Sequence, residues 1–193
     1  MGRADETALV RDLMLGRAEA FETLAARYER PLMNFIGSYV NDRASAEDIF
    51  QETFVRVIRS ISDYTPDAGL GTWIFTIARN LSLDHLRRRK RRRESPIENE
   101  ANIIPMPSPG PEAAPVAAER SDKLFAAMQK LSPKKREVVV LRFFSDHTYE
   151  DMAAMLGAPV GTLKFRVHEA VHELAKLLKP DFGEDAHEVS GSA

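Results

Sequence analysis

Seven consecutive cations, Arg87-Arg88-Arg89-Lys90-Arg91-Arg92-Arg93, are the densest chemistry in this 193-residue sequence. Cations at that density neutralise phosphates, and each contact releases condensed counterions and makes binding salt-dependent. A helix end needs only one or two cations to complement its dipole, so the run exceeds a structural requirement. Just upstream, Trp73-Ile74-Phe75-Thr76-Ile77-Ala78-Arg79-Asn80, with Tyr64 ahead of it, sets aromatic rings beside that cationic segment. Rings so placed stack on bases, at about 1–3 kcal/mol per base. Asn80 carries the amide that reads an adenine edge, and Arg79 the fork that reads guanine or phosphate. Trp73 and Ile77, four apart, equally fit an ordinary core stripe. The polar segment 60–71 has the character of a pocket for a flipped-out base.

A second constellation lies near the C-terminus. Thr148 can cap a short helix, Tyr149-Glu150-Asp151-Met152-Ala153-Ala154-Met155-Leu156, which ends at Gly157 as the left-handed residue. Ala158-Pro159-Val160 forms a turn, and Gly161-Thr162-Leu163-Lys164-Phe165-Arg166-Val167-His168 opens the next helix. This is the helix-turn-helix pattern, whose second helix enters the major groove by its N-terminal residues. Met152, Ala153, Leu156, Val160, Leu163 and Val167 are the expected internal contacts. Lys164, Phe165, Arg166 and His168 are expected to face outward.

Other chemistries lack their residues. With no cysteine there is no disulfide, thiolate metal site or thiol nucleophile. His168 and His172 stand four apart without a convincing further ligand, so the reading holds no metal and no cofactor. No acid/base or nucleophile constellation is present, and an enzyme is not expected. Met1 to Arg11 lacks the apolar core of a signal peptide, and no apolar run approaches the ~20 residues that span a bilayer. The expectation is a cytoplasmic protein without membrane insertion.

The elements that must position these groups fall into two modules. Net charge is −2 overall. By segment it is +3 over residues 1–93, −5 over 94–119, +4 over 120–180 and −4 over 181–193. Two basic blocks flanking an acidic one suggest a nucleic-acid partner despite the near-neutral total. Six of the 11 prolines fall between Pro96 and Pro115, which predicts a flexible or extended linker over 94–119. Both flanking modules read as helical. Phe21, Leu24, Ala25 and Tyr28 repeat at helical spacing, and the pattern continues past Pro31 in Leu32, Phe35, Ile36 and Tyr39. A turn at 41–45 follows, with Ser45 as a possible cap for a helix carrying Ile49, Phe50, Phe54, Val57 and Ile58. A glycine- and proline-bearing loop over 62–71 then leads to a long helix from about Thr72. The fold class is all-α: two small helical domains joined by a linker, with an acidic tail at 181–193.

Six segments in this order resemble bacterial RNA polymerase sigma factors of the extracytoplasmic-function group. They are Ala46–Phe54, Thr72–Asn80, Asp84–Arg88, Leu131–Val138, Tyr149–Ala153 and Val160–His168. The resemblance covers about Ala18–Arg93 and Asp122–Leu178. It implies a region 2 helical bundle and a region 4 helix-turn-helix in a transcription initiation factor. Asp48, Gln51, Glu52 and Phe54 would then dock on the clamp helices of the polymerase largest subunit. Tyr64, Trp73, Arg79, Asn80, Arg87 and Arg88 would recognise and melt the −10 element. Thr162, Lys164, Phe165, Arg166 and His168 would read the −35 element, with this domain seated on the polymerase flap. Core RNA polymerase, promoter DNA and an anti-sigma protein are the implied partners. The linker would thread toward the active-site and RNA-exit channels.

The sequence departs from the family pattern at the recognition helix. Phe165 stands where many relatives have a small polar residue, which would allow apolar contact with a thymine methyl. Glu169, Val171 and Glu173 stand where arginines are usual, which predicts weaker phosphate anchoring or an unusual −35 element. The rival reading is a sigma-like module that sequesters a regulator without productive promoter binding. A stand-alone helix-turn-helix repressor would have no need of the Asp48–Phe54 helix.

Overall fold

A computed structural model describes residues 3–40, 42–66, 69–93, 115–145 and 147–182. Among these residues eight α-helices follow one another: α1 Arg3–Met14, α2 Ala18–Gly37, α3 Arg43–Ser60, α4 Leu70–Arg93, α5 Pro115–Lys130, α6 Pro133–Val139, α7 Tyr149–Leu156 and α8 Val160–Phe182. A 3₁₀ turn, Ile61–Asp63, follows α3, and a π-helical turn, Val140–Phe144, continues α6. There is no strand among the described residues. Most of the proline-rich linker and the acidic tail lie outside them. The linker expectation is shortened at one end, because α5 begins at Pro115. Proline suits a first helical position, where its missing N–H would have no partner anyway.

α1–α4 form one packed half. Leu24, Leu32, Phe35 and Ile36 on α2 meet Ile49 and Val57 on α3 and Ile74, Phe75 and Ala78 on α4, all buried. As the apolar spacing predicts, α2 is one helix with Pro31 inside it. α1 was not anticipated. Its Leu9, Val10 and Leu13 occupy the core, while its other face is charged. α3 starts earlier than expected because Asp42, not Ser45, is the cap. Asp42 is in extended backbone and its carboxylate accepts the Ser45 N–H at 2.7 Å. The charged carboxylate is the stronger acceptor for a free helix-start amide.

α5–α8 form the other half, with Met128, Leu131, Val138, Leu141, Met152, Leu163 and Ala170 buried. α7 has the expected Thr148 cap, completed by Asp151 as a capping box, and ends in the expected left-handed Gly157 (φ 62°). Met155 is buried too, whereas Ala153, Leu156 and Val160 are only half-buried. Burial alone would raise the Asp151 pKa. Hydrogen bonds from the Thr148 hydroxyl and N–H and from Thr72 outweigh burial and hold the carboxyl below its usual range. A carboxyl depressed on folding adds stability above its unfolded pKa of about 3.9, and loses it as pH falls through the folded value. Thermal midpoints should therefore drop as pH falls below about 4, and Asp151→Asn should flatten that drop. Parallel curves for the two proteins would remove Asp151 from the explanation.

Candidate functional site

The predicted residues sort onto four surfaces. On α3, Asp48, Gln51 and Glu52 are exposed and share one stripe with Val55 and Ile58, which are 37% and 46% exposed. The spacing of three and four residues aligns them along one side of the helix. Phe54 does not join this stripe. It is half-buried and stacks on Phe50 at 4.8 Å. The sequence places Ile58 in the helix's apolar pattern and does not single out Val55; only their exposure marks both as surface residues. A groove of about 230 Å³ lies beside the stripe, lined by Asp48, Ile49, Glu52, Leu81, Asp84, His85 and Arg88.

α4 presents two faces. Trp73, Ile77 and Asn80 fall on one side by helical periodicity. Trp73 is half-buried against the Tyr64 ring at 5.3 Å, and Asn80 is exposed. Tyr64 itself is 8% exposed, so in this arrangement its ring belongs to the core. Thr72, Phe75 and Arg79 project about a quarter-turn away and meet the other half. The Thr72 hydroxyl donates to Asp151 at 3.1 Å, Phe75 lies edge-on to His147 at 4.5 Å, and Arg79 Nε donates to Glu137 at 2.8 Å. The structure thus separates Arg79 from the other predicted −10 residues.

Glu137 gathers this contact. It accepts from the Tyr39 hydroxyl as well as from Arg79, and it is 6% exposed. Burial, together with the neighbouring carboxylate, pushes the Tyr39 hydroxyl pKa far up. Adjacent Arg136, also buried, donates to the carbonyls of Met128, Gln129 and Leu131, and across to that of Ser38. Neither Glu137 nor Asp151 was singled out by sequence, because their partners lie 58 to 98 residues away.

In the cationic run, Arg87 pairs with Asp84 at 2.9 Å and Arg89 with Asp42 at 3.8 Å. Arg88, Lys90 and Arg91 are exposed. On α8, Thr162, Lys164, Phe165 and His168 are exposed and Arg166 is half-buried; Phe165 is 65% exposed. The Lys164 ammonium sits 5.6 Å from the Tyr149 ring centroid. Glu169 and Glu173 both engage Lys135, at 3.6 and 2.7 Å. The glutamates that replace the expected arginines are therefore used inside their own half.

An aromatic and cationic helical bundle followed by a helix-turn-helix is matched by two family models. Sigma-70 region 2 matches residues 24–92, and Sigma-70 region 4 matches residues 121–174. Those two regions in that order make a sigma-type transcription initiation factor. CarQ of Myxococcus xanthus, an RNA polymerase sigma factor, is 34% identical over 163 residues, covering 84% of this chain and 91% of CarQ. EcfG of Rhodopseudomonas palustris, an extracytoplasmic-function sigma factor, is 36% identical over 140 residues, covering 72% and 75%. Among solved structures, the sigma factor RpoE of Bartonella quintana, in complex with the anti-sigma factor NepR, is similar with a TM-score of 0.69. It is 27% identical and spans 85% of this chain and 99% of its own. CnrH, in complex with the cytosolic domain of CnrY, gives 0.65 at 25% identity, spanning 91% and 98%. The chain belongs to the extracytoplasmic-function sigma factors of RNA polymerase, and it directs promoter recognition and melting with core polymerase. None of its described helices is long and apolar enough to cross a membrane.

Proposed function

We propose that the outer stripe of α3, Asp48, Gln51, Glu52, Val55 and Ile58, docks on a basic coiled coil of core polymerase, with Phe54 at its margin. Carboxylates and an amide flanking two exposed aliphatic side chains suit such a surface, with charge complementarity giving orientation and rate. Trp73, Asn80 and the cationic end of α4 at Arg87 and Arg88 serve −10 capture, with the buried Tyr64 ring supporting Trp73. Thr162, Lys164, Phe165, Arg166 and His168 serve −35 reading in the major groove. The chain performs no catalysis; binding energy to extruded bases offsets unstacking. It acts in the cytoplasm and is restrained by an anti-sigma protein, a reading supported by the complex of RpoE with the anti-sigma factor NepR.

Arg79 also belongs to −10 recognition, but only after the two halves part, because here its guanidinium is engaged by Glu137. From Arg93 to Pro115 the chain can extend about 75 Å, which matches two turns of B-DNA at roughly 35 Å each. The observation that carries the promoter reading over the sequestering one is the recognition helix. Its outward side chains are exposed, while its two unexpected glutamates are held by Lys135.

The test is run-off transcription with purified core polymerase and a promoter library. Wild-type protein should yield transcripts from a defined promoter class. Asp48→Arg with Gln51→Arg should weaken core binding by about 2 kcal/mol or more, roughly 30-fold, the scale of an interface hot spot. Undiminished core affinity in that variant would remove α3 from the docking surface.

A further inference from the structure

We propose that Glu6, on the N-terminal helix α1, is a positioning residue for −10 readout: its carboxylate ties together the two ends of the base-capture loop. The inference rests on assigning −10 capture to Trp73, with Tyr64 as its support.

One oxygen, Glu6 Oε1, accepts from the Tyr64 hydroxyl at 2.8 Å and from the Leu70 N–H at 2.8 Å. These partners bracket the loop. Tyr64 closes the 3₁₀ turn, its N–H donating to the Ile61 carbonyl at 3.2 Å. Leu70 is the first residue of α4 and is fully buried. Gly69, at φ +75°, turns the chain into the helix, and its carbonyl accepts the Trp73 N–H at 3.2 Å. Leu70 N–H is one of the amides a helix start leaves without an intrahelical acceptor. A carboxylate is the favoured acceptor there, because the positive end of the helix dipole attracts it. Both bonds are charge-assisted, which makes them shorter and stronger than neutral ones.

Trp73 inherits this placement. Its ring packs on Tyr64 at 5.3 Å with 53° between planes, so a displaced tyrosine displaces the indole. The start of α4 is held from a second side. A side chain at Gly71 would begin 3.3 Å from the Tyr28 hydroxyl, which leaves little room for the helix to shift toward α2. α1 can act as an anchor because Leu9, Val10 and Leu13 fix it in the core. Glu6 sits 58 and 64 residues before its partners. It touches no predicted DNA contact except through Tyr64 and the helix start.

The experiment uses the full chain with core polymerase and a template pool randomised across the −10 positions, comparing wild type, Glu6→Ala and Glu6→Asp. Trp73 is the sole tryptophan, so its fluorescence reports the loop directly. Glu6→Ala should red-shift the emission and raise acrylamide quenching. It should narrow the preference for the best over singly mismatched −10 sequences by about tenfold, the effect of losing about 1.4 kcal/mol of placement. Core affinity should stay within twofold of wild type, and Glu6→Asp should recover part of the discrimination. Unchanged base preference in Glu6→Ala overturns the proposal. So does a loss of core affinity as large as the loss of discrimination, which would mark Glu6 as a fold residue only. A wild-type chain that selects no −10 sequence overturns the capture assignment itself, an outcome distinct from a selective wild type matched by its variant.

Discussion

Glu137→Ala is expected to open the molecule. In the closed form its carboxylate is the shared acceptor for Tyr39 and Arg79, and both its partners come from the other half. Removing one member of a buried, hydrogen-bonded charge pair typically costs 3–5 kcal/mol, because the remaining charge is left uncompensated. Arg79 is not so trapped. Its side chain is already 24% exposed, so it can relieve the cost by turning to water as the halves part. Burial alone would lower the Arg79 pKa, and the hydrogen bond and charge of Glu137 reverse that, so the pair stabilises the closed arrangement. Even about 2.7 kcal/mol on the closed side corresponds to a 100-fold shift in population. Small-angle scattering of the variant should show a larger radius of gyration. Affinity of the free chain for a single-stranded −10 oligonucleotide should rise, and that rise should vanish when Arg79→Ala is added. An unchanged scattering profile would show that Glu137 is not what holds the halves together.

Arg136→Ala is expected to damage the C-terminal half itself. The guanidinium donates to four carbonyls: Met128 at 3.0 Å, Gln129 at 2.7 Å, Leu131 at 3.2 Å and Ser38 at 3.1 Å. Met128 and Gln129 lie in the last turn of α5, where carbonyls have no intrahelical donor and a cation is favoured. Burial lowers the Arg136 pKa, but a guanidinium stays charged at any working pH, so its removal deletes a fixed cation. Losing these bonds in a buried site should cost about 3–5 kcal/mol of stability. Lysine should not restore it, because one ammonium cannot reproduce the planar fork. Urea unfolding should show the C-terminal half melting early in both variants. A midpoint within error of wild type for Arg136→Ala would refute this account.

What the sequence revealed was set by how local each interaction is. Thr148 and Gly157 act within one helical turn of their own helix, and the cap and the left-handed stop are readable from types and spacing. The face of α8 is likewise a matter of counting by three and four. At α3 the same counting put the cap three residues late, since Asp42 and Ser45 are both good caps and only geometry shows which one accepts. Phe54 looked like an anchor beside Asp48, Gln51 and Glu52, but it turns toward Phe50, and Val55 takes its place on the outer stripe. α1 was missed because its apolar residues are few and close together, and they make sense only once α2 is beside them. Glu6, Tyr39, Glu137 and the link from Thr72 to Asp151 depend on tertiary placement of residues 58 to 98 apart. No local pattern contains them.

The contact between the halves has one more property. Among the described residues, the hydrogen bonds across it use side chains: Tyr39 and Arg79 to Glu137, Thr72 to Asp151, and Arg136 to the Ser38 carbonyl. No backbone amide among the described residues donates across it. Parting the halves therefore leaves the amide network of each intact, and Arg136 keeps three of its four acceptors. Hinge opening and unfolding become separate events on the hydrogen-exchange scale. Amide protection should be nearly the same in the closed and open chain, while the Phe75 and His147 ring resonances, 4.5 Å apart when closed, should shift.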